Sequence, residues 1–270
     1  MSKPDLKGRR AIVTGAASGF GAGLTKAVTA LGATCVATDV DETRLAEVVN
    51  SCPEGSAVGV RLDVGDARAW AALIDEHGPF DLAVLNAGVA TNHIRPEGAL
   101  PLIGLDGERY RTVMAANVDG VVFGAQHVLP HMVETGFGDI LVTASVAGLV
   151  PIAPDPIYGL TKHAVVGFVR SMAAALDGYG AGLDVHISAI CPGFADTAIL
   201  SEEAKANIQS LGLEILTVDR VVETMLRAMA DRRNGAQWVV WPGRDDECYE
   251  WNPLVTLPIR PLAARPAGDD

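Results

Sequence analysis

The sequence predicts an α/β fold, a doubly wound parallel sheet in a single domain, and three observations carry that expectation. Apolar strand-like runs alternate with amphipathic helix-like segments along most of the chain. The strand-like runs are apolar throughout rather than at every second position, which suits strands covered by helices on both faces. With 270 residues, 49% of them hydrophobic, the chain has material for one large core. Right-handed crossovers between successive parallel strands then give the doubly wound arrangement.

Residues 10–14 (Arg-Ala-Ile-Val-Thr) form the first predicted strand, which ends in a glycine-rich turn, and 19–31 read as a helix. Residues 34–38 are the second strand, followed by a helix beginning at Glu42 with Asp41 placed to cap it. The third strand is predicted over 56–63, a helix over 66–77 and the fourth strand over 81–86. One long helix is expected over 106–134, then a strand at 139–143, a helix at 156–176 and a strand at 184–190. A last strand, 237–241, precedes a Pro-rich tail. The Pro- and Gly-containing stretch 90–105 reads as a surface excursion, so the domain is expected to run over 1–242, with a C-terminal tail over 243–270.

A net charge of -12 argues against nucleic acid or an anionic membrane surface as a partner, since both demand a basic face. No segment approaches the ~20 apolar residues of a membrane span. The first ten residues lack an apolar run, so no signal peptide is expected. The four cysteines are scattered, without disulfide or zinc spacing, and a cytoplasmic protein is the expectation. His127 and His131 stand four apart without a third ligand nearby, and no metal site is expected.

The first strand runs into Thr14-Gly15-Ala16-Ala17-Ser18-Gly19-Phe20-Gly21. Glycines there let a pyrophosphate approach backbone N–H groups at a helix start, where the helix dipole favours negative charge. Eighteen residues after Gly21, Asp39 ends the second strand. A carboxylate at that place accepts the ribose hydroxyls of adenosine and repels a 2′-phosphate. Ser18 offers no positive charge to offset that repulsion, so NAD is favoured over NADP. Tyr158 and Lys162 are spaced i, i+4 and share one helix face. Such a pair is common by chance, but Ser145 lies at the end of the preceding strand, where ligands bind in open α/β sheets, and Asn117 lies in the long helix.

Taken together, these pieces resemble the short-chain dehydrogenase/reductase family over about residues 8–242. The resemblance rests on T-G-x-x-x-G-x-G at 14–21, Asp63-Val64, Asn86-Ala87-Gly88, Asn117, Ser145, Tyr158-x-x-x-Lys162, and Pro192-Gly193 with Thr197. It implies a Rossmann fold and an NAD-dependent alcohol dehydrogenase in which Tyr158 is the general acid/base. Lys162 and the oxidised nicotinamide would lower the phenol's pKa, and Lys162 would also hold the nicotinamide ribose. Ser145 would hold the substrate oxygen, and Asn117 would hold a water that links Lys162 to solvent. Cofactor contacts are expected from Gly15, Ser18, Gly19, Phe20, Gly21, Asp39, Asp63, Val64, Asn86, Ala87, Gly88, Pro192, Gly193 and Thr197. The family also implies a homo-oligomer, a tetramer or dimer, built on the long helix and the Tyr158 helix.

Apolar residues in 198–217, such as Ile208, Leu211 and Leu216, match the family's mobile substrate-binding region. With Val146, Leu149, Val150 and Ile152 beyond Ser145, they point to a hydrophobic alcohol or ketone. A carbonyl reductase of the 3-oxoacyl type is the alternative reaction, and a non-catalytic NAD-binding regulator the alternative class. The tail departs from the family: Tyr249, Trp251, Leu254, Val255 and Leu257 form an apolar cluster. It either packs on its own domain, closes a substrate pocket or docks on a neighbouring subunit.

Overall fold

Runs of Val, Ile, Leu and Ala with no charge at their centres become strands whose side chains are buried on both faces. These are β1 (Arg10–Thr14), β2 (Thr34–Asp39), β4 (Leu82–Leu85), β5 (Phe137–Thr143) and β6 (Asp184–Pro192). The computed structural model describes residues 3–91 and 99–251. β3 (Ala57–Arg61) is shorter than the predicted 56–63 and is largely exposed, as befits the sheet edge, while β7 (Gln237–Val240) follows β6 at the other side. The sheet order is β3-β2-β1-β4-β5-β6-β7, all parallel, and a two-residue β8 (Glu247–Cys248) adds antiparallel to β7.

Helices cover both faces. On one, α3 (Ala67–His77), α5 (Gly120–Thr135) and α6 (Pro156–Tyr179) pack Trp70, Val128, Met132 and Val169 onto the sheet. On the other, α1 (Gly19–Ala30) and α8 (Val218–Asp231) bring Leu24, Val28, Val221 and Met225 together, with α2 (Glu42–Asn50) contributing Leu45. Asp41 accepts from Arg44 N at 3.0 Å and caps α2, as the sequence indicates. α8 was not among the predicted elements, although Val221, Val222, Met225 and Ala228 carry helical spacing and are all buried.

The long helix expected over 106–134 is interrupted. α4 (Gly107–Met114) passes through a π-helical turn, Ala115–Asp119, before α5 begins. The extra residue of a π turn widens the helix and re-aims the side chains on it. Crowding surrounds the turn: a Cβ on Gly120 would stand 2.7 Å from Val64 Cγ2, and one on Gly65 2.9 Å from Ala115 Cβ. Asn117 sits inside it.

The expected boundary at residue 242 falls between β7 and β8. Residues 247–251 pack on their own sheet and on α6: Trp251 Nε1 donates to Gln237 Oε1 at 2.5 Å, and the Arg170 guanidinium lies 4.0 Å above the Trp251 ring. Leu254, Val255 and Leu257 lie outside the described residues. Among the described residues, no helix is long and apolar enough to cross a membrane.

Candidate active site

Strand order reverses between β1 and β4, so the loops leaving their carboxyl ends diverge and open a crevice. Glycine is required on both sides of the turn after β1. Gly15 has φ +65, and a Cβ there would come within 2.8 Å of Ala87 Cα. One on Gly21 would stand 2.1 Å from Gly15 O. Ser18, at the head of α1, makes no side-chain cap, so it leaves the first-turn N–H groups of that helix to an outside acceptor. Thr197 leans over the loop, its Cγ2 3.3 Å from where a Gly19 Cβ would stand, and Phe20 is half-buried in the first turn of α1.

Asn86 stitches this region together. Its Nδ2 donates to Thr14 O at 3.0 Å, its Oδ1 accepts from Thr143 Oγ1 at 2.9 Å, and Thr14 Oγ1 accepts from Asn86 N and Ala87 N at 2.9 and 3.0 Å. The side chain is thus spent on joining β1, β4 and β5, which fixes the turn after β4. Asp39 accepts from Ala17 N and Asp41 N, both at 3.0 Å, and its carboxylate lies beside the glycine turn, clear of the cap of α2. The nearby Arg44 is held by Asp41 at 2.6 Å. Asp63 accepts from Gly65 N at 3.0 Å, and Val64 is buried with its carbonyl on Trp70 Nε1 at 3.0 Å. A cradle a Cβ would fill, uncapped helix N–H groups and a carboxylate at the end of β2 fit a dinucleotide without a 2′-phosphate.

α6 begins with Asp155 as cap and Pro156 in its first turn, a start that suits Pro's fixed φ and missing N–H. Its helical spacing puts Tyr158 and Lys162 on one side, and the Lys162 nitrogen lies 5.6 Å from the Tyr158 ring centroid. Lys162 is 3% exposed and donates to Thr143 O at 2.8 Å. A Cβ on Gly88 would stand 3.6 Å from that nitrogen, so the fourth-strand turn meets the catalytic candidates directly. Ser145 Oγ accepts from Ala147 N at 3.1 Å, donates to Pro192 O at 3.4 Å, and its side chain also hydrogen-bonds Tyr158.

Burial pulls the Lys162 ammonium down to about 8 and pushes the Tyr158 phenol up to about 12, with the Ser145 hydrogen bond opposing the second effect. The expected lowering of the phenol by Lys162 is therefore not met by the protein groups alone. Desolvation outweighs a cation that lies over the ring and is turned to a carbonyl. Cys191, also raised to about 12 by burial, lies beside the same groups.

Asn117 is fixed by the loop after β4 and by α6. Its Oδ1 accepts from Val89 N at 2.8 Å, and its Nδ2 donates to Val89 O at 2.9 Å and Thr161 Oγ1 at 3.0 Å. Through these bonds it clamps the loop after β4 to α6. Gly193 faces the Trp241 ring, where a Cβ would stand 2.8 Å from Cε3, and Phe194 tilts against the same ring at 6.2 Å. The region 198–217 contains α7 (Glu202–Ser210); Ile208 and Leu216 are buried, while Leu211 is 76% exposed. Thr143 and Trp241 escaped the sequence reading, because their parts depend on neighbours distant in sequence. Asp155 escaped too, although Asp-Pro ahead of an apolar run is a readable helix start.

Residues 9–208 match the family model described as short chain dehydrogenase. The chain is 32% identical over 248 residues to the 2-keto-3-deoxy-L-fuconate dehydrogenase of Xanthomonas campestris pv. campestris, covering 90% of this chain and 77% of that protein. It is 35% identical over 199 residues to the cis-4-hydroxycyclohexanecarboxylate dehydrogenase of Sinomonas cyclohexanicum, covering 72% and 76% respectively. A short-chain dehydrogenase/reductase from Burkholderia phymatum, solved in complex with NAD, superposes with a TM-score of 0.74 at 28% identity, covering 87% of this chain and 90% of that one. On fold, motif order and sequence likeness alike, this chain belongs to the short-chain dehydrogenase/reductase family of oxidoreductases.

Proposed function

We propose that the protein is an NAD-dependent dehydrogenase that interconverts a hydrophobic secondary alcohol and its ketone. The observation that carries this reading is the gathering of Tyr158, Lys162 and Ser145 at the carboxyl edge of the sheet, against the turn at Gly88 that borders the glycine cradle. The chain's own residues supply binding, orientation and proton transfer. Asp39 receives the adenosine ribose, and the α1 N-terminus with Gly15, Gly19 and Gly21 receives the pyrophosphate. Asp63 and Val64 border the adenine, the Asn86–Gly88 backbone lines the adenosine side, and Pro192, Gly193 and Thr197 border the nicotinamide end.

A nicotinamide dinucleotide supplies the hydride acceptor and, when oxidised, a positive charge. Tyr158 takes the proton of the substrate hydroxyl during oxidation and returns it to the carbonyl oxygen during reduction. Ser145 donates to that oxygen as charge develops on it. Lys162, whose ammonium is drawn towards neutrality by burial, orients the nicotinamide ribose and favours the phenolate. Val146, Leu149, Val150 and Ile152 follow Ser145 as an apolar margin, which favours a hydrophobic substrate.

We read residues 1–242 as one catalytic domain and 243–270 as its tail. A homodimer or homotetramer is supported by Leu160 of α6 and Val133 of α5, which stand 48% and 46% exposed. A cytoplasmic location is supported by the four free thiols. The test is nicotinamide absorbance with NAD and a panel of apolar secondary alcohols, and with NADH and the matching ketones. Substrate-dependent change in either direction is expected; none in both would overturn the reading and leave a cofactor-binding protein without turnover.

A further inference from the structure

The loop that follows β4 is held by side chains from three different elements. Asn117, in the π turn, grips both the N–H and the carbonyl of Val89. Arg109, on α4, donates through Nε to Thr91 O at 2.6 Å and through Nη2 to Ala90 O. The N–H of Thr91 donates to Asp155 Oδ2 at 3.0 Å. The other oxygen of the same carboxylate, Oδ1, accepts from Tyr158 N at 2.9 Å. Asp155 therefore spans from the loop beside Gly88 to the backbone of Tyr158 itself.

We propose that Asp155 is a positioning residue for the reaction, one carboxylate oxygen fixing the first turn of α6 and the other fixing the loop after β4, so that the Tyr158 phenol keeps one place relative to the crevice. The proposal rests on the oxidoreductase reading given above. A carboxylate suits both bonds, because it accepts in two directions and carries no donor to oppose the Thr91 N–H. The helix N-terminus also favours its charge. A plain cap needs only the Tyr158 bond, and Ser or Asn would serve there equally well. The second bond, to a loop 64 residues away, is what a cap alone leaves unexplained.

The charge gives a signature that a merely structural part would not. Asp155 disfavours the Tyr158 phenolate, as do burial and Cys191 on β6, while the Ser145 hydrogen bond favours it. Lys162 lies on the same helix over the ring, and Arg109 reaches the region only through the carbonyls of Ala90 and Thr91. Removing the Asp155 charge therefore moves the phenol downward.

The experiment compares wild type with Asp155→Asn and Asp155→Ser, both of which keep a capping oxygen for Tyr158 N. The phenol is read by ultraviolet difference titration of each protein against its own Tyr158→Phe form, a readout that needs no turnover and stands out among four tyrosines. The midpoint is expected to fall by roughly half a pH unit in both variants. With NAD and an alcohol that the wild type oxidises, kcat is expected to fall about 10-fold with KM for NAD little changed. Unshifted midpoints, or wild-type kcat in both variants, overturn the role of Asp155. A shifted midpoint in a wild-type background that oxidises no alcohol and reduces no ketone instead overturns the oxidoreductase reading, with the contact between Asp155 and Tyr158 intact.

Discussion

At the amino edge of the sheet, cations and carboxylates are matched to one another; at the carboxyl edge, a buried cation is matched only to a carbonyl. Ahead of β1, Arg9 pairs with Asp81 and, at 2.9 Å, with Asp139. Arg232, beyond α8, pairs with the same Asp139 at 2.8 Å and with Asp184 at 2.5 Å. Both guanidinium groups lie on the Phe137 ring, at 4.5 and 4.6 Å, so one aromatic side chain packs between two cations held by three carboxylates. These bonds tie β1, β4, β5, β6 and α8. Lys162, by contrast, is more deeply buried than any of these groups, and among the described residues no carboxylate pairs with it. Neutralised charge holds a fold together; charge left without a counter-ion in a crevice is available to a ligand, and folding bears its desolvation.

The most severe way to break the contrast is Tyr158→Phe, which removes the proton carrier and leaves the crevice. Turnover is expected to fall about 10³-fold or more, with NADH binding retained in a fluorescence titration. Unimpaired turnover would take the reaction away from this edge.

Lys162→Met sharpens the contrast, because it should harm activity and help stability at once. Activity is expected to drop about 100-fold, while the thermal midpoint rises by about 2–4 °C as a buried unpaired ammonium is replaced by an apolar chain. The pH dependence has a definite sign. Below pH 8 the lysine is charged in both folded and unfolded protein, and its burial penalty is complete. Between about 8 and its ordinary 10.5 the folded protein binds fewer protons, so wild-type stability rises with pH and the advantage of the Met variant shrinks. Melting curves at pH 7 and pH 9.5 check this, and a gap that widens with pH would contradict it.

Asp39→Ala tests whether another charge at the carboxyl edge also serves a ligand. The ratio of kcat/KM for NAD over NADP is expected to fall about 10-fold, and an unchanged ratio would remove the ribose from Asp39. Arg9→Met is the smallest effect on catalysis and the counterpart at the opposite edge. It leaves Asp81 and Asp139 short of a partner, so stability in denaturant should fall by about 1–3 kcal/mol while kcat/KM stays within about twofold. A large catalytic loss with no loss of stability would erase the distinction between the two edges.

Much of the scaffold is legible locally. β1, β2, β4 and β5 can be read from uninterrupted apolar runs because strands of a doubly covered sheet bury both faces. The pairing of Tyr158 with Lys162 follows from helix periodicity, and Asp41 as a cap follows from its place before Glu42. α8 carries the spacing of a helix but starts at Val218, just past the 198–217 stretch, and is not among the elements expected from the sequence.

What the chain determined by itself was the kind and order of its elements and the identity of the residues at their ends, since periodicity, glycine turns and caps act over a few neighbours. Only the folded arrangement decided that Asn117 holds Val89, that Asn86 joins three strands, that Asp155 reaches Thr91, and that burial pushes the phenol up. Those outcomes depend on hydrogen-bond partners and on desolvation supplied by segments far away in sequence, and neither is encoded in any local window.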